Sequence, residues 1–267
     1  MSEEPEDLLL LKGGADMILN QGYLIKRHSN TRQVEPYYMR LLKENELKDV
    51  MKLQQSVYDA LPNKEVLYMD SELGMYEDLK AGAMILGVYN SKDQLISYRY
   101  ISFPKKVEHN LGNDILLPEN QLEYVVHLET TVVSPDYRGN RLQSLTLSKA
   151  IDLIKPMGMN HLLCTVSPYN LFSLYNIMSA GLNIKSLKRK YGDKGDQGIW
   201  RFILHKDLRP EATTFSEDYH LLKLDRIAEQ KKLIEMGYIG YNLIKESQMI
   251  QYALINDDIQ SPFEFAV

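Results

Sequence analysis

A single cysteine, Cys164, stands in a chain of 267 residues, so no disulfide framework can form within it, and a reducing, cytoplasmic setting is the expectation. Basic charge is not in excess: 31 Lys and Arg against 36 Asp and Glu leave a formal charge of −5. Such a balance gives no field that would gather nucleic acid or an anionic membrane, and neither is expected as a partner. No apolar run approaches the roughly 20 residues of a membrane helix. The start, Met-Ser-Glu-Glu-Pro-Glu-Asp before a few leucines, lacks the basic opening and longer apolar stretch of a signal peptide, so a soluble protein is predicted. The six histidines are scattered and have no second cysteine to join, which gives no metal-ligand spacing; no metal is expected. Internal repeats and low-complexity tracts are also missing. What remains is 44% hydrophobic, enough for one large domain or an ordinary domain with extensions.

Periodicity then orders the chain. Residues 17–25 suggest a small hairpin broken at Asn20-Gln21-Gly22, and 37–43 read as a strand. Leu47, Val50, Met51, Leu53, Val57 and Tyr58 recur at helical spacing across 46–61, and 71–80 form a second helix. Two apolar runs, 84–89 and 95–103, flank Asn90-Ser91-Lys92-Asp93 as a hairpin; polar residues 104–122 read as a loop able to cover a cleft. Strand 123–133, the Pro135 and Gly139 turn, and a helix with Leu142, Leu145, Ala150 and Ile154 on one face follow. A strand at 161–166, a helix at 171–180 ended by Gly181, and strands at 182–191 and 198–205 come next. Residues 206–217 read as a linker, 221–236 as a helix, and 238–244 and 249–254 as strands.

The turn Val133-Ser134-Pro135-Asp136-Tyr137-Arg138-Gly139-Asn140-Arg141-Leu142-Gln143 offers chemistry. It sets a glycine and successive backbone N–H groups at a helix start, where the donors have no intrahelical partner and the dipole is positive, a geometry suited to pyrophosphate. Arg138 and Arg141 add charge-assisted donors. The bland reading is a simple strand-to-helix connection. Val133, Pro135, Arg138, Gly139 and Leu142 resemble the cofactor motif V-x-P-x-x-R-G-x-G-[IL]-[GAQ] of the GNAT superfamily of N-acetyltransferases, with Arg141 in place of the second glycine and Gln143 after Leu142. About 30 residues on, Asn170, Ser173 and Gly181 match the family's block N-x-x-S-x7-G-[FL].

The resemblance implies an α+β fold, a mixed sheet flanked by helices, over residues 36–207, with an N-terminal extension at 1–35 and a C-terminal extension at 208–267 that packs on the domain or on a dimer mate. It implies acetyl-CoA, or another short acyl-CoA, as co-substrate: Val132 and Val133 would meet pantetheine through their main chain, and Arg138, Gly139, Asn140, Arg141, Leu142, Gln143 and Ser144 would hold the pyrophosphate. Asn170 and Ser173 would contact it from the other side. Direct attack by a primary amine, from a small molecule or a peptide, needs a group that removes the amine's proton. Glu129 is the candidate, with a solvated or salt-bridged carboxylate as the alternative. Strand alternation puts His127, Glu129 and Thr131 on one face and Leu128, Thr130 and Val132 on the other. The family's helix-four tyrosine is replaced by Ile177, and Tyr175 is the candidate substitute for protonating the leaving thiolate. Tyr98 and Tyr100 share a strand face as pocket lining or core; His127 reads as structural or substrate-lining, and Cys164 as core. Two rival readings are a noncatalytic GNAT-fold sensor or scaffold, and an aminoacyl-tRNA-dependent transferase; the acidic balance and single motif copy oppose the second. A homodimer is the family's common state.

Overall fold

A computed structural model describes residues 17–28, 31–192, 197–209 and 213–256. The chain forms two compact units, the first ending at Thr165 and the second beginning at Val166.

The first unit is a sheet in the order β1 (Asn20–His28), β2 (Thr31–Leu41), β3 (Met84–Asn90), β4 (Leu95–Ser102), β5 (Val125–Val133) and β6 (His161–Val166), whose last residue lies past the unit boundary. Neighbours are antiparallel up to β5, and β5–β6 is parallel. Helices α1 (Leu47–Asp59) and α2 (Glu72–Lys80) cover one face. Leu47, Val50 and Val57 on α1 and Met75 on α2 share a core with Tyr98, Tyr100 and Val132. The start of α1 is fixed by Glu46, which takes two guanidinium bonds from Arg40 at 2.8 and 2.6 Å and the Lys43 N–H at 2.8 Å. Ser71 caps α2 by accepting the Gly74 N–H at 3.0 Å. Helix α3 (Leu142–Ile154) meets the other face: Arg99, which alternates away from Tyr98 and Tyr100, donates to Thr146 Oγ1 at 3.2 Å and the Gln143 carbonyl at 3.0 Å.

The N-terminal hairpin turns elsewhere than expected. Asn20-Gln21-Gly22 lies inside β1, because Gly22 faces Tyr37 so closely that a Cβ would stand 3.0 Å from the ring, and Asn20 Oδ1 accepts the Tyr37 hydroxyl at 2.5 Å. The stretch read as a loop, 104–122, contains a helical turn at Leu111–Asp114 that Asn110 caps at 2.8 Å.

The second unit holds α4 (Leu171–Ser179), α5 (Ile227–Glu235) and strands in the order β8 (Ile199–Asp207), β7 (Asn183–Lys190), β10 (Ile239–Ile244), β11 (Met249–Ile255), β9 (Phe215–Lys223). The helix expected from residue 221 begins only at Ile227. Leu221 and Leu222 belong to β9, where pairing with Gln251 and Ile250 outweighs their helix propensity. Gln230 of α5 is buried, donates to the Leu224 carbonyl at 2.9 Å and accepts the Tyr252 hydroxyl at 2.7 Å. Among the described residues no helix is long and apolar enough to cross a membrane.

Candidate active site

Two features of the first unit converge on β5. Its pairing with β6 stops at Leu128 opposite Cys164, while β5 runs on to Val133, so the two strands part beyond that point. The chain then passes through a single 3-10 turn at Pro135–Tyr137 into α3, whose N-terminus no side chain caps. The bend rests on two residues in the left-handed region, Gly139 at φ 82° and Arg141 at φ 57°. Arg141, standing where the family motif has glycine, therefore adopts the conformation glycine would favour, at a strain of about 1 kcal/mol.

The turn is braced by β1 and β2. Asn140 accepts the Ile25 N–H at 2.9 Å and donates to the Ile25 and Tyr137 carbonyls at 2.8 and 2.9 Å. Its side chain is thus committed to the backbone and shapes the turn rather than facing outward. Tyr137 is buried and donates to Glu35 Oε1 at 2.5 Å while accepting from Asn90 at 2.9 Å. Arg27 donates to the Arg138 carbonyl at 2.6 Å, and its guanidinium leaves no room for a Cβ at Gly139. Arg27 thus joins Arg138 and Arg141 as a third exposed cation at the turn. Hairpin distance in sequence gave no sign of it. Leu142 packs into the core, and Ser144 is exposed on the first turn of α3. Val132 is buried, its carbonyl accepting Ser97 Oγ at 2.7 Å; Val133 is half-buried, Gln143 is half-buried under Arg99.

A register shift between Arg99 and Ile101 marks a bulge in β5: Arg99 faces Thr131 and Ile101 faces Leu128, so Glu129 and Thr130 together oppose Tyr100. The expected alternation fails here. Thr131 shares a face with Leu128, and Thr130 turns to the α1–α2 side to hydrogen-bond Asp70. On that side Glu129 enters a cavity of about 330 Å³ lined also by Asp70, Asp78, Tyr100, Ser102 and His109. Tyr100 donates to Asp78, while Tyr98 is core and donates to Gln54 at 2.9 Å.

Glu129 Oε1 accepts Ser102 Oγ at 2.6 Å and lies 3.2 Å from His127 Nδ1. The buried imidazole accepts the Leu111 N–H on Nε2 at 3.0 Å, so its proton sits on Nδ1 and points at Glu129. Burial pushes the Glu129 carboxyl up, but the hydrogen bonds from His127 and Ser102 and the charge of His109 outweigh it and hold the group below its ordinary value. Asp70 goes the other way. Burial first, then the Glu129 and Asp78 anions, raise it to about 6 against the Thr130 hydrogen bond, and its Oδ2 is buried with no hydrogen-bond partner. Neither Asp70 nor Asp78 stood out in the sequence, where Asp70-Ser71 reads only as a helix start. Cys164 is buried, and its thiol is pushed up to about 12 by burial. Among the described residues no group of His, Cys, Asp or Glu is gathered closely enough to hold a metal ion.

In the second unit Asn170 caps α4, accepting the Ser173 N–H at 3.1 Å, and Ser173 is half-buried. Ile177 is core. Tyr175 is exposed at 37%, with Lys245 Nζ 5.0 Å from its ring centre.

Comparison with solved structures finds a proposed acetyltransferase from Acinetobacter baylyi at 15% identity, covering 64% of this chain and 92% of that one, with a TM-score of 0.50. The chain shares the fold of that structure. A ribosomal-protein-S18-alanine N-acetyltransferase from Escherichia coli matches at 15% identity over 66% of this chain and 96% of that one (TM-score 0.48). A GNAT phosphinothricin acetyltransferase from Sinorhizobium meliloti in complex with AcCoA matches at 16% over 64% and 88% (TM-score 0.48). No family model matches the sequence, and no curated protein does.

Proposed function

We propose that this GNAT-fold chain is an acyl-CoA-dependent N-acyltransferase that moves an acetyl or other short acyl group to a primary amine by direct attack. The observation that carries the reading is the parting of β5 from β6 beside an uncapped α3 N-terminus. A stretch of strand paired with β4 but open on its β6 side supplies main-chain partners for the amide groups of pantetheine, and the helix start supplies N–H donors for pyrophosphate. The residues fit the donor: Val132 and Val133 lie on the open stretch, Gly139 to Ser144 form the anion site with Arg27, Arg138 and Arg141 around it, and Asn140 holds its shape. On the second unit, Asn170 and Ser173 match the family motif and are the candidates for cofactor contact, while Tyr175, which lies outside the motif's tyrosine position, is the candidate substitute acid for the leaving thiolate.

The bound donor supplies an activated thioester carbonyl. The chain's own part is to receive the amine, and the carboxyl groups of Asp70, Asp78 and Glu129 make the cavity a receptor for a cationic ammonium, whether on a small molecule or a peptide. Calorimetric titration with acetyl-CoA tests the donor site. Micromolar binding by the wild type that weakens at least tenfold in Gly139→Ala, with circular dichroism unchanged, is expected; absence of binding by the wild type refutes the reading.

A further inference from the structure

Glu129 and Asp70 both reach the cavity wall, but their oxygens are engaged differently. Glu129 Oε1 already carries the Ser102 hydroxyl and faces the His127 Nδ1 proton. Donors of this kind stabilise the anion, which makes Glu129 a good counterion and a poor proton acceptor. Asp70 is positioned through its backbone instead. Its N–H donates to Gln54 Oε1 at 3.3 Å, its carbonyl accepts Gln54 Nε2 at 2.9 Å, and Gln54 is fixed in turn by the Tyr98 hydroxyl. Asp70 Oδ2 is buried and has no hydrogen-bond donor. A buried carboxylate oxygen in that state is unfavourable, and a proton or an N–H from a cavity ligand relieves it.

On the transferase reading above, we propose that Asp70 is the catalytic residue that takes the proton of the acceptor ammonium, and that Glu129 holds the cation beside it. Of the groups that face Asp70, Thr130 on β5 lowers its proton affinity, and burial with the remaining groups outweighs it. Glu129 on β5 and Asp78 on α2 are anionic and raise its proton affinity; Tyr98 and Tyr100 on β4 are phenols kept neutral by burial; His109 lies on the cavity wall and acts on Glu129. The ammonium gives one proton to the Asp70 carboxylate, leaving R–NH2 and a carboxylic acid. The freed lone pair forms the N–C bond at the thioester carbonyl, and the C–S bond breaks with its electron pair on sulfur. Nitrogen gives up its second proton to solvent and the thiolate takes one from the acid at the leaving group, which solvent reprotonates, so amide and thiol are the products, and Asp70 returns its proton to solvent.

The test compares full-length wild type, Asp70→Asn and Glu129→Gln with acetyl-CoA and three amines, 1,4-diaminobutane, glucosamine and trialanine, following thiol release from pH 5 to 9. Asp70→Asn is expected to bind acetyl-CoA as the wild type does, to lose about 100-fold or more in kcat/KM, and to lose the acid limb near pH 6. Glu129→Gln is expected to raise KM and to keep that limb, moved to lower pH because a neighbouring anion is gone. Carbon-13 titration of the carboxyl groups in the wild type, which needs no variant to fold, is expected to find Asp70 above Glu129. Glu129 titrating above Asp70, or an unchanged acid limb in Asp70→Asn, overturns the assignment alone. Acetyl-CoA binding without transfer to any of the three amines overturns the transferase reading and this assignment with it.

Discussion

Replacing Asp70 by Asn is expected to stabilise the fold at pH 8 while it destroys activity. The carboxyl is raised from 3.8 to about 6, by burial first and then by Glu129 and Asp78. Because the folded-state value lies above the unfolded one, folding favours the protonated form. Its stabilising contribution is complete below about pH 4 and is lost as pH rises through about 6. The full rise corresponds to about 3 kcal/mol, of which about 1.4 kcal/mol falls between pH 5 and pH 8. Asn bears no charge at either pH, but it places an amide N–H where Oδ2 now lacks a partner, at a cost of about 1 kcal/mol unless Glu129 accepts it. The variant should therefore exceed the wild type by about 2 kcal/mol at pH 8, and the advantage should shrink by about 1.4 kcal/mol at pH 5. Urea unfolding followed by circular dichroism at the two pH values measures both quantities. A variant less stable than the wild type at pH 8, or a difference independent of pH, refutes the reasoning that this carboxyl is held at an energetic cost.

Three further outcomes are expected. Arg141→Gly relieves a left-handed residue at the head of α3 and should raise stability by about 0.5 kcal/mol in thermal melts, the loss of unfolded-state restriction offsetting part of the strain released. Gly139→Ala adds a Cβ 2.0 Å from the Arg27 guanidinium at φ 82°, and should cost about 1–2 kcal/mol; Arg27→Ala in the same chain should recover only the part due to the clash, as a double-mutant cycle will separate. Asn140→Ala removes three hydrogen bonds to the backbone of Ile25 and Tyr137 and should lower stability by about 1–3 kcal/mol, read from the urea midpoint.

Local rules carried much of the fold. Helical spacing at Leu47, Val50 and Val57 is the spacing α1 uses to cover Tyr98 and Val132, and Ser71 caps the helix its type predicts. They failed where a neighbour in space outweighed a neighbour in sequence. Asn20-Gln21-Gly22 has turn composition, yet the glycine serves to seat the Tyr37 ring across the ladder. Leu221 and Leu222 have helix propensity, yet β11 offers them a ladder.

The site divides along the same line. By itself the sequence determined the strand, turn and helix that carry Val133, Arg138, Gly139 and Leu142, because the start of a helix is made by consecutive residues and is written in consecutive letters. Tertiary structure alone decided the acidic cavity beside β5. The bulge at Glu129 and Thr130 breaks the period of two on which face assignment rests, and it turns Thr130 toward Asp70, a residue sixty positions earlier whose surroundings come from β4, β5 and α2. The proton affinity of Asp70 follows from burial and from anions brought near by folding, and a carboxyl group in the unfolded chain has neither.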